Sequence, residues 1–316
     1  MTNTKIIPHT FEYFAPETLA EVLEHLHNPE AKVLAGGTDL VNRLKLRTAD
    51  PKVIVYLGRV KELHEIGNGN NGEEELSIGA MVSMRELEQS KLVRDIYPCL
   101  YEALHCVGGV QIRNSATVAG NIANASPAAD SPPALMVLDA ECELVSLDNG
   151  HGSKNLFTRL CRVEDMFEGP GKTTLKPGEC ISRIVLPKPV GNYGTAFLRS
   201  TRVKLDVAKA SCAAYVERDG SMCTEIRIAA GAVAPMPVRI PSVERLLRGK
   251  KVTAELFDKA AAEIGKDIRP IDDVRSTETY RSRIMKVLVR DALCLAWKRA
   301  GGEDFSEEGS ARGGNV

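Results

Sequence analysis

Clustered cysteines are missing from this sequence. Its eight, Cys99, Cys106, Cys142, Cys161, Cys180, Cys212, Cys223 and Cys294, form no CxxC pair and no other tight ligand spacing. That pattern speaks against a zinc site or an iron–sulfur cluster held by the chain and favours buried, reduced thiols. An excess of one charge is missing too. The 41 basic and 42 acidic side chains leave a net −1 over 316 residues, so no global basic field exists to hold nucleic acid or an anionic membrane. No apolar run approaches the roughly 20 residues of a membrane helix. Residues 1–10 have neither the charged start nor the apolar stretch of a signal peptide. The expected compartment is the cytoplasm, with no direct membrane insertion and no nucleic-acid partner. The six histidines are scattered, and no H-E-x-x-H or G-x-S-x-G motif accompanies them. His64, His105 and His151 therefore read as surface or packing residues, and neither a catalytic residue nor a metal ligand is assigned. With one Trp and 5% aromatics, the chain has little with which to sandwich an organic substrate.

The length suffices for two packed domains, and the order of elements predicts an α+β fold. Leu19, Val22, Leu23 and Leu26 recur at helical spacing behind Pro16. A short strand follows at 32–35, then Gly36 and Gly37, then a helix over about 40–47 that Thr38 or Asp39 can cap. Strands are expected at 53–57 and 75–80, separated by a polar loop at 67–75. Ser83 and Glu86 form the S-x-x-E signature of a helix start. Leu100, Ala103, Leu104 and Val107 mark a helix ended by Gly108 and Gly109, and Ser131-Pro132 starts another that runs to about Asp139. Residues 175–187 read as hairpin-like. Pro187, Pro189 and Gly191 mark the boundary between domains 1–190 and 191–300, the first divided near residue 55. The second should hold three antiparallel strands, at about 195–202, 207–217 and 223–231, followed by a helical bundle. Its longest helix, about 278–298, shows a stripe of Ile284, Val287, Leu288 and Leu295. The glycine-, serine- and glutamate-rich residues 301–316 read as a disordered tail.

Two segments stand out chemically. Gly36 and Gly37 sit between a strand and a helix start, where backbone N–H groups face outward and a phosphate can approach them. The pattern is neither GxGxxG nor a Walker loop. The second segment, 111–130, is rich in small and hydrogen-bonding residues, with Thr117 and Asn121 offering side-chain bonds. It suits close approach of a large planar or phosphorylated ligand, and equally a surface loop. Lys204, Asp206 and Lys209 form a charged cluster that reads as a solvated edge.

Together, Ala35-Gly36-Gly37-Thr38-Asp39 and Gln111-Ile112-Arg113-Asn114 leading to Thr117-Val118-Ala119-Gly120-Asn121-Ile122 resemble the FAD-binding subunits of the xanthine dehydrogenase and carbon monoxide dehydrogenase family. The likeness continues through Ala125-Ser126-Pro127-Ala128-Ala129-Asp130, the Leu175-Lys176-Pro177-Gly178-Glu179 turn, Asp206-Val207-Ala208 and Gly231-Ala232-Val233-Ala234-Pro235-Met236-Pro237-Val238-Arg239. Ala119 departs from the family, which usually has the first of two glycines there. The resemblance implies a PCMH-type FAD-binding domain of two subdomains. Val33, Leu34, Ala35, Gly36, Gly37, Thr38, Asp39 and Leu40, with Thr117, Val118, Ala119, Gly120 and Asn121, would wrap the FAD pyrophosphate and its neighbouring groups. Asp130 would contact the adenosine side, and Ile181 would lie near the flavin. Lys209 matches a lysine found near the flavin in some members only. The resemblance also implies a large partner subunit with a molybdenum cofactor, a small one with 2Fe–2S clusters, a dimer of heterotrimers, and NAD+ or another electron acceptor. One branch of the family carries a cysteine-rich insertion, for an extra iron–sulfur cluster, near the second loop. Residues 121–133 contain no cysteine.

Overall fold

The computed structural model describes residue 7 and residues 10–69, 72–148 and 155–305. Its first layer is a small parallel sheet of β1 (Glu12–Phe14), β2 (Ala31–Leu34) and β3 (Val53–Tyr56) in the order β1-β3-β2. Parallel strands of one sheet need crossover connections, and the helix Leu19–Leu26 lies on the one between β1 and β2, on either side of β3. It buries Leu19, Val22, Leu23 and Leu26, and it starts at a full capping box between Thr18 and Glu21.

A second, antiparallel sheet runs β4 (Ile66–Gly69), β5 (Gly72–Gly79), β10 (Cys180–Pro187), β6 (Glu141–Asp148), β7 (Asn155–Arg162), and β8 (Phe167–Gly169) pairs separately with β9 (Lys172–Thr173). The polar loop expected at 67–75 is instead mostly the arms of the β4–β5 hairpin. Its glycines and glutamates mask the strand signal, which lies in the pairing of Ile66 with Ile78 and Asn68 with Leu76. Residues 175–187 do not form a hairpin. They contain one strand, β10, whose partners β5 and β6 come from far along the sequence, a pairing that local pattern cannot reveal. Helices Met84–Gln89, Pro98–Cys106 and Ser131–Val137 fill the core beside this sheet. Ser131 occupies the first helical position and Asp130 the N-cap, one residue earlier than the Ser-Pro pair suggests.

The third sheet contains the three expected long strands, β11 (Tyr193–Ser200), β12 (Ala210–Asp219) and β13 (Met222–Gly231), extended by the short β14 (Val238–Arg239) and β15 (Lys250–Lys251). Gly220, at φ 55°, makes the turn between β12 and β13. Alternation along these strands serves two cores. Phe197, Ala213, Tyr215 and Ala229 face the amino-terminal core, whereas Ala196, Cys212, Ala214 and Ile228 face a second core built with the carboxy-terminal helices. Across the seam, the Tyr193 hydroxyl donates to the Ile96 carbonyl at 3.0 Å, the Phe197 N–H donates to Glu102 Oε2 at 2.8 Å, and Arg227 pairs with Asp139 at 2.9 Å.

The helix Glu278–Arg299 buries Met285, Val289, Ala292 and Ala296. Of the expected stripe, Leu288 is buried and Ile284 and Leu295 pack against the second core, and only Val287 departs from it, exposed at 49%. Small residues set the true face: a Cβ on Gly194 would lie 2.0 Å from the Ala296 carbonyl oxygen, so helix and strand touch backbone to backbone. The tail expectation fails at its start. Phe305 is buried and lies edge-on to Phe257 at 5.9 Å, and Lys298 pairs with Asp304 at 2.6 Å. Residues 306–316 lie outside the described residues. Phe305→Ala is expected to lower the unfolding free energy by roughly 2 kcal/mol, the worth of one buried aromatic ring. Urea denaturation of the full chain checks this, and an unchanged midpoint would show that the ring contributes nothing.

Candidate functional site

The site begins where β2 ends. Gly37 takes φ 74°, a left-handed conformation that favours glycine, and the chain turns into the helix Leu40–Lys45. Among the described residues, the N–H groups of Gly36, Gly37, Thr38 and Asp39 donate to no protein acceptor. Consecutive free donors in a glycine turn make a nest for anionic oxygens. The expected side-chain cap is absent: Asp39 holds the N-cap position in a helical conformation but makes no capping hydrogen bond. Its exposed carboxylate leaves the free N–H groups uncovered.

The second segment is neither a surface loop nor irregular. It forms the short helices Val110–Arg113 and Val118–Ala123, and Val118, Ala119 and Ile122 are buried. Alanines and a glycine allow that helix to lie close to its neighbours. Thr117, almost fully buried, uses its hydroxyl oxygen to accept from the Gly120 N–H at 3.0 Å, so the side chain serves as the helix cap. Asn121 accepts from the Ser131 hydroxyl at 2.6 Å and keeps its amide N–H groups for a ligand. Ala119 has no positive φ, so the residue that departs from the usual glycine carries its methyl group without backbone strain.

The two segments meet at Gly36. A Cβ there would lie 1.7 Å from the Ser115 carbonyl oxygen, so one backbone rests directly on the other. Beside this contact opens a cleft of about 650 Å³, within the range of ligand pockets. Val33, Leu34, Ala35, Gly36, Gly37, Thr38, Asp39 and Leu40 line it from one side, and Thr117, Gly120 and Asn121 from the other. Val118 and Ala119 are buried behind this wall. Two further candidates also lie off the lining: Ile181 is buried on β10 opposite Leu144, and Asp130 is buried at the seam with the third sheet. Lys209 sits over the Tyr280 ring at 4.8 Å, and its neighbour Asp206 pairs with Arg202 at 2.6 Å. Among the described residues no group of three or more His, Cys, Asp or Glu side chains converges to hold a metal ion.

Asp130 carries the most unusual electrostatics nearby. Oδ2 accepts from Arg199 at 2.9 Å, while Oδ1 is buried with no partner. Burial pushes its carboxyl up to about 6 against the pull of Arg199. Sequence reasoning missed Ser115, because a backbone carbonyl leaves no sequence signature. It also missed Glu88, since the S-x-x-E signature pointed to Glu86 two residues earlier.

Comparison with known proteins identifies the family of the chain. Residues 9–189 match the family described as FAD binding domain in molybdopterin dehydrogenase, and residues 195–295 match the CO dehydrogenase flavoprotein C-terminal domain. The glyceraldehyde dehydrogenase medium chain of Sulfolobus acidocaldarius is 32% identical, covering 90% of this chain and 98% of that one. The xanthine dehydrogenase FAD-binding subunit of Escherichia coli O157:H7 is 28% identical, covering 92% and 97%. Among solved structures, a carbon monoxide dehydrogenase from Hydrogenophaga pseudoflava superimposes with a TM-score of 0.86 at 31% identity, over 93% of this chain and 99% of the other. Quinoline 2-oxidoreductase from Pseudomonas putida 86 gives 0.83 at 28% identity, over 92% and 98%. Both glycine-bearing segments, the sheets that carry them and the third sheet behind them thus fall within matched regions, and the chain belongs to the FAD-binding medium subunits of the xanthine dehydrogenase and carbon monoxide dehydrogenase family.

Proposed function

We propose that the chain holds FAD along the cleft and works as an electron-transfer subunit, taking electrons from iron–sulfur clusters of a partner and passing them to NAD+ or another acceptor. The observation that carries this reading is the meeting of two segments of small residues around four unpartnered backbone N–H groups. Residues 33–40 and 117–121 would hold the pyrophosphate and neighbouring groups, with Asp130 toward the adenosine side and Ile181 near the flavin. When bound, FAD can take up electrons singly and release two together. The protein's own residues position it: the nest fixes the phosphates, Asn121 donates, and the buried Val118–Ala123 helix keeps the wall rigid.

The same reading assigns 1–190 to a FAD-binding domain with subdomains near 1–55 and 56–190, and 191–300 to a carboxy-terminal domain. It places the molybdenum cofactor on a large partner and 2Fe–2S clusters on a small one, in a cytoplasmic dimer of heterotrimers. No helix among the described residues is long and apolar enough to cross a membrane. The substrate of the complex would be chosen by the large subunit.

The visible spectrum of the purified chain tests the proposal. Flavin absorbance, FAD released by heat and no iron–sulfur band are expected. A folded, colourless chain that refuses added FAD would overturn it.

A further inference from the structure

Beside the cleft lies a buried ion pair that the proposed FAD contacts do not use. The side chains of Arg113 and Glu88 are 6% and 5% exposed. Arg113 engages both carboxylate oxygens, Nε to Oε2 at 2.9 Å and Nη2 to Oε1 at 3.1 Å. Its Nη1 donates to the carbonyls of Val107 at 3.2 Å and Gly108 at 2.9 Å. Arg85 and His105 each approach the carboxylate at 2.7 Å. Burial alone would raise the Glu88 carboxyl, but the hydrogen bonds from Arg85, Arg113 and His105 outweigh it and hold the group down to about 2.

The attachments of this pair are unevenly placed. Glu88 sits at the end of helix Met84–Gln89, whose first residue, Met84, donates its N–H to the Ala116 carbonyl at 2.8 Å. Ser83 forms an isolated bridge with Thr117. The helix therefore grips the 107–117 segment twice, at Arg113 and at Ala116, and Ser115 lies between the two grips. Val107, Ile112, Ala116 and Thr117 are cleft-lining residues of that segment. A shift at Arg113 has to move the Ser115 carbonyl, against which Gly36 rests.

We infer that Glu88 and Arg113 are positioning residues for FAD: their bidentate contact sets where the Ser115 carbonyl lies, and so how the phosphate-binding turn meets the second wall of the cleft. The inference rests on the FAD reading above. A pair that only supported the fold would be indifferent to the ligand.

Arg113→Lys and Glu88→Gln in the full chain separate the two roles. Lysine keeps a charge opposite Glu88 but cannot reproduce the planar fork. Glutamine keeps the shape and removes the charge, which guards against a lysine variant that fails to fold. The expected result for both is an FAD Kd raised on the order of tenfold or more and altered visible circular dichroism of the bound flavin, measured well below the thermal midpoint of the FAD-free chain. Variants with a lower midpoint but unchanged Kd and unchanged dichroism would overturn the inference while leaving the FAD reading intact. A wild-type chain that takes up no FAD overturns both.

Discussion

Gly36→Ala is expected to yield a chain that purifies without flavin, with FAD affinity reduced on the order of 100-fold or more, equivalent to about 3 kcal/mol. The reason is steric. The added Cβ would sit 1.7 Å from the Ser115 carbonyl oxygen, 2.5 Å from its carbon and 3.1 Å from the Ala116 Cα. All three are backbone atoms, so no rotamer change can relieve the overlap, and the two walls of the cleft must move apart. Overpacking of this kind costs roughly 1–3 kcal/mol of stability, which a protein of this size survives. Gly37→Ala provides the comparison. Its Cβ would meet only the side-chain tips of Val41 and Leu34, at 3.2 and 3.3 Å. What it strains is the left-handed φ of 74°, at a cost of about 1 kcal/mol. The expected order is a large loss at Gly36 and a loss of about tenfold at Gly37, read from FAD stoichiometry and fluorescence titration. Stoichiometric FAD in purified Gly36→Ala would sink this account.

That contrast shows how much of the site was legible in the sequence. Glycine between a strand and a helix start announces a phosphate-binding turn, and the two segments resembled a known pair of flavin loops. Nothing in the sequence says which glycine is needed for its φ and which for its missing Cβ. That distinction depends on Ser115, 79 positions from Gly36, and becomes visible only once the fold brings them together. The helix that starts at Ser83 was readable because its capping box is local, and the helix Leu19–Leu26 because its apolar spacing is, although its Thr18 capping box was not read. Residues 175–187 were misread as hairpin-like because the partners of their one strand, β10, lie in β5 and β6. The long helix was misread only in part, at the exposed Val287, for a related reason: the helix meets Gly194 of β11 backbone to backbone, and small residues carry little hydrophobic signal while permitting the tightest contact.

Long-range pairing also governs the other large effect. Asp130 and Arg199 join the amino-terminal core to the third sheet, with side chains 9% and 8% exposed. Removing one member of such a pair leaves the other charge buried and uncompensated, so Arg199→Ala is expected to cost about 3–5 kcal/mol near neutral pH. Arg199 also holds the Lys204 and Asp206 carbonyls, whose release adds to the loss. The pH dependence identifies the cause. The folded-state pKa of Asp130 is raised from 3.8 to about 6, so between these values the folded chain keeps a proton that the unfolded chain has released. Stability from this group is therefore greatest at low pH, falls as pH rises from about 4 through 6, and stays low above that. Burial also raises the Asp139 carboxyl, against Arg227 and Arg239, which adds a slope of the same sign. Glu88, held near 2, loses its contribution only as pH falls through about 4.5 toward 2 and leaves this window alone. Without Arg199 the Asp130 carboxyl should rise further, so the cost of Arg199→Ala should shrink by about half or more between roughly pH 7.5 and pH 5. Asp130→Asn should remove the part of the slope that Asp130 supplies and, combined with Arg199→Ala, restore much of the lost stability. Urea denaturation of the four proteins at the two pH values decides the matter. An Arg199→Ala cost that does not change with pH would mean that the carbonyl contacts, and not the buried carboxylate, make Arg199 necessary.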